Sequence, residues 1–544
     1  MYSRKDNVNI LTALLVANCV KRAVVCPGSR NAPIVHNLHV CPDIICHPVT
    51  DERSAGFYAL GMALSTGQPV AVCVTSGTAL LNLQPAVAEA FYRHVGLIVI
   101  SADRPQAWIG QLDGQTLPQP GALGGFVGKA VSLPEPSSDI ERWHCNRLVN
   151  EALITAKQGQ PVHINVPISE PLFLFDNVRL PDERVITYHP APFTQAPSLI
   201  PQLLSDYGQA RRPMVVIGQC HYNKGIEAVI GQLSSHAVVL SEALANPSGG
   251  QLFDGVLHRS GDDRRLLPDF LLYCGDTVVS KRLKHFLRTE IKSVWEVSSD
   301  GQIHDTFRCL KHVMSGQPMD VLPLLAQASN SHSSEYVALW QKELKRQEDL
   351  LAACQPAYSE MAAVKCFEES VRTLDAECYV HYANSSAVRL ANIFARHYVW
   401  CNRGVNGIEG SLSTAAGFSL TTNRKVFCVI GDLSFFYDQN ALWNTELGGN
   451  LRILLLNNGC GGIFRQLPGL SGSTARDHLV AASHQTTAQG ICRQNGVAYL
   501  CAGDMESMRQ GIDRLINDPS ERPVLLEVQT NADDDARAWS DLLN

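Results

Sequence analysis

Short runs of apolar residues recur along this chain, and most are followed by a segment with the apolar spacing of a helix. Strands buried on both faces of a parallel sheet have this pattern, which is clearest at residues 70–74, 97–100, 426–430 and 451–456. Further strands are predicted at residues 23–26, 214–218, 271–276 and 378–381. Helices are predicted at residues 8–20, 57–64, 335–351 and 437–447. This alternation predicts an α/β fold made of parallel sheets with helices on their faces.

The predicted elements fall into three groups along the 544 residues, a length that suits about three or four domains. Pro190 and Pro192 mark a joint after the first group, and the charged helical segment 335–351 leads into the last group. We therefore predict three α/β domains, at residues 1–185, 186–345 and 346–544.

The amino-acid composition argues against several classes of protein, including nucleic-acid-binding, membrane-spanning and disulfide-rich proteins. The chain is 45% hydrophobic and 18% charged with a formal net charge of −7, so no basic excess favours a nucleic-acid partner. It has no apolar run of about 20 residues and no apolar leader, so we expect a cytoplasmic protein without a transmembrane segment. The 17 cysteines are scattered and include no C-x-x-C pair, which favours buried thiols over a zinc site or a disulfide framework.

Polar residues with metal-ligand chemistry follow two successive predicted strands. Asp432 comes after the strand at 426–430, and Asn457 and Asn458 come after the strand at 451–456. The carboxyl ends of parallel strands are where open α/β sheets bind ligands, and such oxygens suit Mg²⁺ and a diphosphate. Asp432 as a helix cap and Asn458-Gly459 as an ordinary turn remain the alternative.

The pair Gly431-Asp432, followed at this separation by Asn457-Asn458, resembles the thiamin-diphosphate motif of the decarboxylase and synthase superfamily. The resemblance implies that Asp432, Asn458 and the main-chain carbonyl of Cys460 hold Mg²⁺ or Mn²⁺. It also implies cofactor contacts from Gly431, Leu433, Ser434 and Gly461. Leu433 stands where that superfamily often has glycine.

Four blocks near the start of the chain carry further candidate chemistry, at residues 27–30, 51–53, 75–78 and 102–105. Arg30 and Arg104 each follow a predicted strand, so their guanidinium groups can converge on one carboxylate-binding crevice. Glu52 stands at a helix entrance, where a glutamate is usually only a partner of the helix dipole. Similarly, a solvated Lys281-Arg282 pair is the ordinary interpretation of the basic residues after the strand at 271–276.

Together with the blocks at residues 383–389, 402–410 and 413–417, these motifs resemble the MenD family of menaquinone biosynthesis over nearly the whole chain. The resemblance implies a pyrimidine-binding domain at 1–185, a central α/β domain at 186–345 and a diphosphate-binding domain at 346–544. It implies that Glu52 hydrogen-bonds the cofactor's aminopyrimidine ring, with Gln115 as a second catalytic candidate. Further cofactor contacts would be Thr75, Ser76, Gly77, Ser385, Ile408 and Ile463. Substrate contacts would be Ser29, Arg30, Arg104, Lys281, Arg282, Arg389, Arg403 and Phe464.

For this family the substrates are 2-oxoglutarate and isochorismate, and the active site lies between chains of a homodimer or homotetramer. Relatives commonly carry Asn and Arg in the loop where this chain has Gly114 and Pro118, which leaves the substrate contacts of that loop open. Another thiamin-diphosphate enzyme is the alternative, such as an acetolactate synthase or a 2-oxo acid decarboxylase, although these act on smaller substrates. A non-catalytic nucleotide-binding module is a further alternative, but residues 459–462 do not form G-x-G-x-x-G.

Overall fold

The computed structural model describes residues 1–189, 199–245, 250–374, 376–467 and 469–543. Pro190 and Pro192 of the predicted joint lie outside the described residues. The strands form three separate sheets, and every strand pair within them is parallel. The predicted α/β class is therefore confirmed.

The first sheet has six strands, which are β1 (Arg22–Val25), β2 (Ile45–Pro48), β3 (Val70–Val74), β4 (Leu97–Asp103), β5 (Lys129–Ser132) and β6 (Val162–Pro167). Their spatial order is β2-β1-β3-β4-β6-β5. The accompanying helices are α1 (Asp6–Ala17), α2 (Ala32–Val40), α3 (Glu52–Thr66), α4 (Thr78–Asn82), α5 (Gln84–Tyr92) and α6 (Asp139–Lys157). Alternate residues enter different cores: Val72 and Val99 pack on one face, and Cys73 and Ile98 on the other. Burial on both faces explains the unbroken apolar runs.

The second sheet has five strands, which are β7 (Pro213–Ile217), β8 (Val238–Ser241), β9 (Phe270–Cys274), β10 (Ser293–Ser298) and β11 (His312–Ser315). Their order is β11-β10-β9-β7-β8. The helices are α7 (Leu199–Gln209), α8 (Lys224–Leu233), α9 (Phe253–Ser260), α10 (Lys281–Leu287), α11 (Pro318–Gln327) and α12 (Ser334–Ala353). Trp340 of α12 is buried in the core of this sheet. The predicted boundary between residues 345 and 346 falls inside α12, and the domain boundaries remain predictions.

The third sheet has five strands, which are β12 (Tyr379–Tyr382), β13 (Val426–Gly431), β14 (Leu451–Asn457), β15 (Ala498–Ala502) and β16 (Val524–Gln529). Their order is β12-β13-β14-β16-β15. The helices are α13 (Glu360–Val371), α14 (Ser386–Phe394), α15 (Ser411–Ser419), α16 (Asp432–Tyr437), α17 (Gln489–Asn495), α18 (Met505–Asn517) and α19 (Ala532–Leu543).

The helix predicted at residues 437–447 is wrong. The helix is α16, which starts at Asp432 and ends at Tyr437, and a 3₁₀ turn at Gln439–Leu442 follows it. Tertiary contacts decide this: Phe435 of α16 is buried, and the buried Asp438 carboxylate accepts hydrogen bonds from the N–H and the hydroxyl of Ser413, both at 2.7 Å. These contacts hold the chain away from a continuous helix.

The first and third sheets share one hydrophobic core through helices α3 and α15. Gly61 permits their close approach, because a Cβ at that position would lie 2.0 Å from the carbonyl oxygen of Thr414. The polar ends of this contact include Arg53, which donates to the Tyr437 carbonyl at 2.7 Å, and Asn440, which donates to Asp51 at 2.7 Å. This packing fixes how the candidate site residues of the two sheets lie relative to each other.

The structure bears on two predictions from composition, which concern membrane-spanning helices and the burial of the cysteines. Among the helices of the described residues, none combines the length and the apolar character needed to cross a bilayer. Of the 17 cysteines, Cys19 and Cys501 are exposed and the others are buried or partly buried, in line with the predicted buried thiols.

Candidate active site

The carboxyl ends of β13 and β14 meet at one edge of the third sheet, because the two strands are parallel neighbours. Asp432 begins α16 there, and its Oδ2 accepts hydrogen bonds from the N–H groups of Gly459 at 2.8 Å and Cys460 at 3.1 Å. Gly459 has a φ of 76°, which only glycine adopts without strain. The Cys460 N–H also donates to Oδ1 of Asn458 at 3.2 Å. The three predicted metal ligands therefore lie together.

Carboxyl groups crowd this edge of the sheet. Asp432, Glu360 and Asp535 are buried, with 4%, 6% and 5% of their surface exposed. Burial raises the pKa of Asp432, and burial together with the charges of Asp535 and Asp432 raises the pKa of Glu360. The His484 imidazole lies 3.3 Å from Oδ2 of Asp432. Oxygen ligands in a buried, negatively charged setting fit a hard divalent cation.

Several residues predicted to contact the cofactor surround Asp432 in the folded chain, and these are Gly431, Leu433, Ser434, Ile408 and Gly461. The Ser434 hydroxyl donates to the carbonyl oxygen of Ile408, which connects α16 to the segment before α15. The Ile408 side chain is 43% exposed and free to contact a ligand. Gly461 lies against the Phe464 ring, where a Cβ would come within 2.8 Å of Cδ2.

The second group of predicted residues lies at the carboxyl edge of the first sheet. Glu52 is the first residue of α3 and is partly exposed, and the Asn82 amide donates to its Oε2 at 3.3 Å. Thr75 and Ser76 follow β3 and are buried. The Gly77 N–H donates to the buried Gln119 at 2.7 Å.

Gln115 joins this second group through its backbone. It is exposed with a φ of 57°, and a Cβ at Gly77 would lie 3.4 Å from its backbone atoms. The loop that carries Gln115 is anchored to Arg104, whose Nε donates to the Gly114 carbonyl at 3.1 Å and pairs with Asp113 at 2.8 Å. Arg104 is thus held by the Gly114 carbonyl and the Asp113 carboxylate, in the loop where relatives commonly carry asparagine in place of Gly114.

Arg30 and Arg104 follow β1 and β4 of the first sheet, which are separated by β3, and both lie near Asp103. Arg30 is 6% exposed, donates to the Ile168 carbonyl at 3.1 Å and pairs with Glu170 at 3.2 Å. The Arg104 N–H donates to Asp103 at 2.8 Å, and the charge of Arg30 lowers the pKa of that carboxyl against the larger effect of its burial. Ser29, beside Arg30, is exposed.

A cavity of about 350 Å³ lies between the second and third sheets. Its lining includes four predicted site residues, Lys281, Arg282, Arg389 and Ile463. Arg282 pairs with Asp254 of α9 at 2.5 Å. Within the described residues, the side chains of Lys281 and Arg389 form no hydrogen bond or ion pair. Burial and the charges of Arg403 and Arg282 lower the pKa of Arg389, whereas Asp254 raises it. The cavity therefore has cationic groups available to an anionic ligand.

Arg403 lies next to this cavity rather than in its lining. Its Nη1 donates to Oδ1 of Asn384 at 3.0 Å, and the same asparagine donates to the carbonyls of Asn402 and Gly407 at 2.6 and 2.7 Å. Ser385 follows with a φ of 73° and precedes α14. Asn384 therefore holds the segment that carries Arg403 and Ile408.

Two buried carboxylates that were not predicted from the sequence accept hydrogen bonds from the backbone next to Arg403 and next to Lys281. Glu89 of α5 is 2% exposed and accepts hydrogen bonds from the N–H groups of Gly404 and Val405, both at 2.9 Å. Glu242 accepts from the N–H groups of Val279 and Ser280 at 2.6 and 2.8 Å, directly before Lys281. An isolated acidic residue among apolar helix positions, as at Glu89, is the signal that could have indicated such a role.

We expect a pH-dependent stability effect at Glu242. Burial raises its pKa to about 7, although the Val279 and Ser280 N–H groups and the Arg403 charge oppose the shift. Glu242 therefore binds a proton more tightly in the folded chain than in the unfolded chain. Its contribution to stability is complete below the ordinary carboxyl pKa of 4.5 and is lost as pH rises toward 7. The stability of the wild type relative to Glu242→Gln should fall by about 3 kcal/mol over this range in urea denaturation.

A matched control for this effect is Glu227→Gln, which alters an exposed glutamate of α8 in the same part of the chain. Its stability should follow that of the wild type at each pH. Parallel curves for the wild type and Glu242→Gln would contradict the burial argument.

Glu52 and Asp432 of one chain are not neighbours. The residues beside Glu52 contact Tyr437 and Asn440, at and beyond the carboxyl end of α16, whereas Asp432 begins that helix. Six helical residues span roughly 8 Å. Among the described residues no hydrogen bond or ion pair joins Glu52 to the ligands around Asp432. Within the described residues, Glu52 therefore shares no polar contact with the residues around Asp432.

Comparison with known proteins agrees with this division. Residues 6–122 match the family described as thiamine pyrophosphate enzyme, N-terminal TPP binding domain, and residues 383–528 match the corresponding C-terminal TPP binding domain. The first range contains Glu52 and Gln115, and the second contains Asp432, Asn458 and Cys460.

Curated relatives match along the whole chain and are named 2-succinyl-5-enolpyruvyl-6-hydroxy-3-cyclohexene-1-carboxylate synthase. The relative from Bacteroides thetaiotaomicron is 43% identical over 99% of both chains. The relative from Bacteroides fragilis is 44% identical over 99% of both chains, and that from Porphyromonas gingivalis is 35% identical over 97% of this chain and 95% of its own. These matches confirm the resemblance predicted from the motifs. The chain belongs to the MenD family of thiamin-diphosphate-dependent enzymes, the 2-succinyl-5-enolpyruvyl-6-hydroxy-3-cyclohexene-1-carboxylate synthases.

Proposed function

We propose that this enzyme decarboxylates 2-oxoglutarate and adds the resulting four-carbon unit to isochorismate, as a cytoplasmic step of menaquinone biosynthesis. The observation that carries the proposal is the cationic cavity lined by Lys281, Arg282 and Arg389. The product named for the relatives has succinyl, enolpyruvyl and carboxylate groups, so its precursors carry several negative charges. Guanidinium groups suit such carboxylates, because they bind them in a bidentate geometry.

The cofactor and the metal belong to the edge of the third sheet. The Asp432 carboxylate, Oδ1 of Asn458 and the Cys460 carbonyl would hold Mg²⁺ or Mn²⁺, whose remaining positions suit diphosphate oxygens. Gly461, Ser434, Ile408 and Ile463 would contact the rest of the cofactor. Bound thiamin diphosphate supplies the electron sink for loss of CO₂ and for the addition that follows.

The chain's own residues would bind the substrate carboxylates and transfer a proton to and from the cofactor. Glu52 would exchange a proton with the aminopyrimidine ring, and Thr75, Ser76, Gly77 and Gln115 would line that side. The cations Lys281, Arg282, Arg389 and Arg403 would hold the carboxylates of the substrates, with Ser29, Arg30 and Arg104 on the opposite side of the site. Phe464 would contact substrate from its place beside Gly461. Fixed cations in a site that excludes water orient the substrates better than solvent does.

A second copy of the chain would complete the site, as a homodimer or homotetramer. Within the described part of one chain, Glu52 and Asp432 share no polar contact, and Glu52 of one copy would face Asp432 of another. Exposed apolar side chains in the predicted first and third domains favour such an assembly, and these are Tyr92, Trp108, Leu112, Val405 and Trp443.

The decisive experiment incubates the protein with thiamin diphosphate, Mg²⁺, 2-oxoglutarate and isochorismate, and measures CO₂ together with the adduct by mass spectrometry. The proposal expects CO₂ and an adduct that forms only when isochorismate is present. Replacement of both substrates by pyruvate is the control for an acetolactate synthase or a simple decarboxylase. Acetolactate or acetaldehyde from pyruvate, without the expected adduct, would favour those alternatives.

We expect Arg389→Ala to raise the KM for isochorismate while thiamin-diphosphate affinity changes little. Loss of an arginine from a buried carboxylate pair commonly costs about 2–5 kcal/mol. Steady-state kinetics and cofactor titration measure the two effects separately. The control is Arg493→Ala, an exposed arginine of α17, which should leave both values unchanged. An unchanged isochorismate KM for Arg389→Ala would remove the cavity from the acceptor site.

A further inference from the structure

The side-chain amide of Asn458 is held between two carboxylates that come from distant parts of the chain. Its Nδ2 donates to Oε1 of Glu360 at 3.0 Å and to Oδ2 of Asp535 at 3.0 Å. Glu360 is the first residue of α13, and Asp535 lies in the first turns of the carboxyl-terminal helix α19. Neither residue belongs to the motif around Asp432.

This arrangement selects one of the two orientations of the amide. Oδ2 of Asp535 also accepts from the Thr530 hydroxyl and therefore faces Asn458 as an acceptor, and Oε1 of Glu360 faces the same amide nitrogen, so both favour the NH₂ group of Asn458 on their side. The oxygen of the amide must then point the other way, toward the turn at Cys460, whose N–H lies 3.2 Å from it. A freely rotating asparagine would instead divide its time between the two orientations.

The two carboxylates are themselves held in place. Oδ1 of Asp535 accepts from the backbone N–H of Glu360 at 2.8 Å, and its Oδ2 accepts from the Thr530 hydroxyl at 2.9 Å. Both residues are buried, as described above. Two buried carboxylate charges side by side repel each other, and a nearby divalent cation would offset that repulsion.

We infer that Glu360 and Asp535 are positioning residues that direct the Asn458 oxygen toward the divalent cation, which makes helix α19 part of the metal site. The inference rests on the proposed function, which assigns that cation to Asp432, Asn458 and Cys460. Hydrogen-bond partners of metal ligands commonly contribute 10–100-fold to metal affinity. The same helix brings Trp539 and Leu542 to the lining of the cationic cavity, so it contacts both parts of the site.

The test measures Mg²⁺ affinity by calorimetry in the presence of thiamin diphosphate. Asp535→Asn keeps the shape of the side chain but allows an NH₂ group to face Asn458, so we expect the Kd for Mg²⁺ to rise by about 10–100-fold. Cofactor binding should return at high Mg²⁺ concentration, whereas damage to the fold would not be reversed. Asp541→Asn is the matched control, because Asp541 is an exposed residue of the same helix. Its Kd should equal that of the wild type.

A second variant keeps the inference testable if Asp535→Asn does not fold. Asn458→Asp combined with Asp535→Asn exchanges the two groups and preserves the number of carboxylates. We expect this double variant to bind Mg²⁺ more tightly than Asn458→Asp alone, because the amide at position 535 would donate to the carboxylate at position 458 and restore the lost hydrogen bond. A wild-type-like Kd for folded Asp535→Asn, or a double variant no tighter than Asn458→Asp, would overturn the inference. Wild-type protein without Mg²⁺-dependent cofactor binding would overturn the proposed function and, with it, this inference.

Discussion

Asp432→Ala is expected to abolish Mg²⁺-dependent binding of thiamin diphosphate while the protein remains folded. The change removes the charged oxygen at the edge of the third sheet and leaves the diphosphate without a bound counter-ion. Removal of one partner from a buried charge interaction costs about 3–5 kcal/mol, which is a loss of roughly 100-fold or more in affinity. Isothermal titration calorimetry with and without Mg²⁺ measures this loss.

The same change also removes one acceptor from the N–H groups of Gly459 and Cys460, which keep Oδ1 of Asn457 and of Asn458 as acceptors, so the fold should persist. Asp432→Asn is the matched control, since its amide oxygen still accepts a hydrogen bond but carries no charge. We expect it to bind the cofactor weakly while it keeps most of the thermal stability. Unchanged cofactor binding by Asp432→Ala would show that the motif has another role.

Glu52→Gln is expected to bind the cofactor normally but to lose catalytic activation. Glutamine keeps the size and the hydrogen-bonding reach of the side chain, including the contact with Asn82, but it cannot exchange a proton. Positioned acid–base groups contribute about 10²–10⁴-fold to rate. The measurement is hydrogen–deuterium exchange at the thiazolium carbon of the bound cofactor. Exchange at the wild-type rate would leave Glu52 as a helix-entry carboxylate.

A mixture of the two inactive variants tests the shared site directly. If Glu52 of one copy faces Asp432 of another, a hybrid of Glu52→Gln and Asp432→Ala chains contains one intact site. We expect activity to return on subunit exchange, up to a fraction of the wild-type value. Full activity of a wild-type monomer at high dilution would contradict the shared site.

The amino-acid pattern alone determined the α/β class and the position of the metal motif. Strands such as β3 and β13 are buried on both faces, so their sequences are continuously apolar and their ends are easy to locate. The pairing of Asp432 with the turn at Asn458 follows from the same rule, because consecutive parallel strands meet at one edge. The family resemblance supplied the residue roles, which no periodicity could provide.

Tertiary structure decided which cations are available to a ligand. Arg30 and Arg104 follow separate strands of one sheet, as predicted, yet Arg30 pairs with Glu170 and Arg104 with Asp113. Lys281 of α10 and Arg389 of α14 line a common cavity, where their side chains form no hydrogen bond or ion pair with the described residues. Whether an arginine is paired depends on neighbours far away in the chain, which local patterns do not encode.

The buried carboxylates that accept hydrogen bonds around the candidate site could not be predicted from local sequence patterns either. Glu89, Glu242, Glu360 and Asp535 are separate acidic residues in the sequence, and each acquires its role only when another segment packs against it. The helix predicted at residues 437–447 failed for a related reason, since Asp438 bonds to Ser413 of α15. Hydrophobic periodicity determines which residues enter a core, because burial acts on each strand and helix locally. The hydrogen-bond partner of a buried polar group depends on how whole helices and strands pack. The cost of removing that group from water is compensated only when packing brings a donor from a distant part of the chain against it.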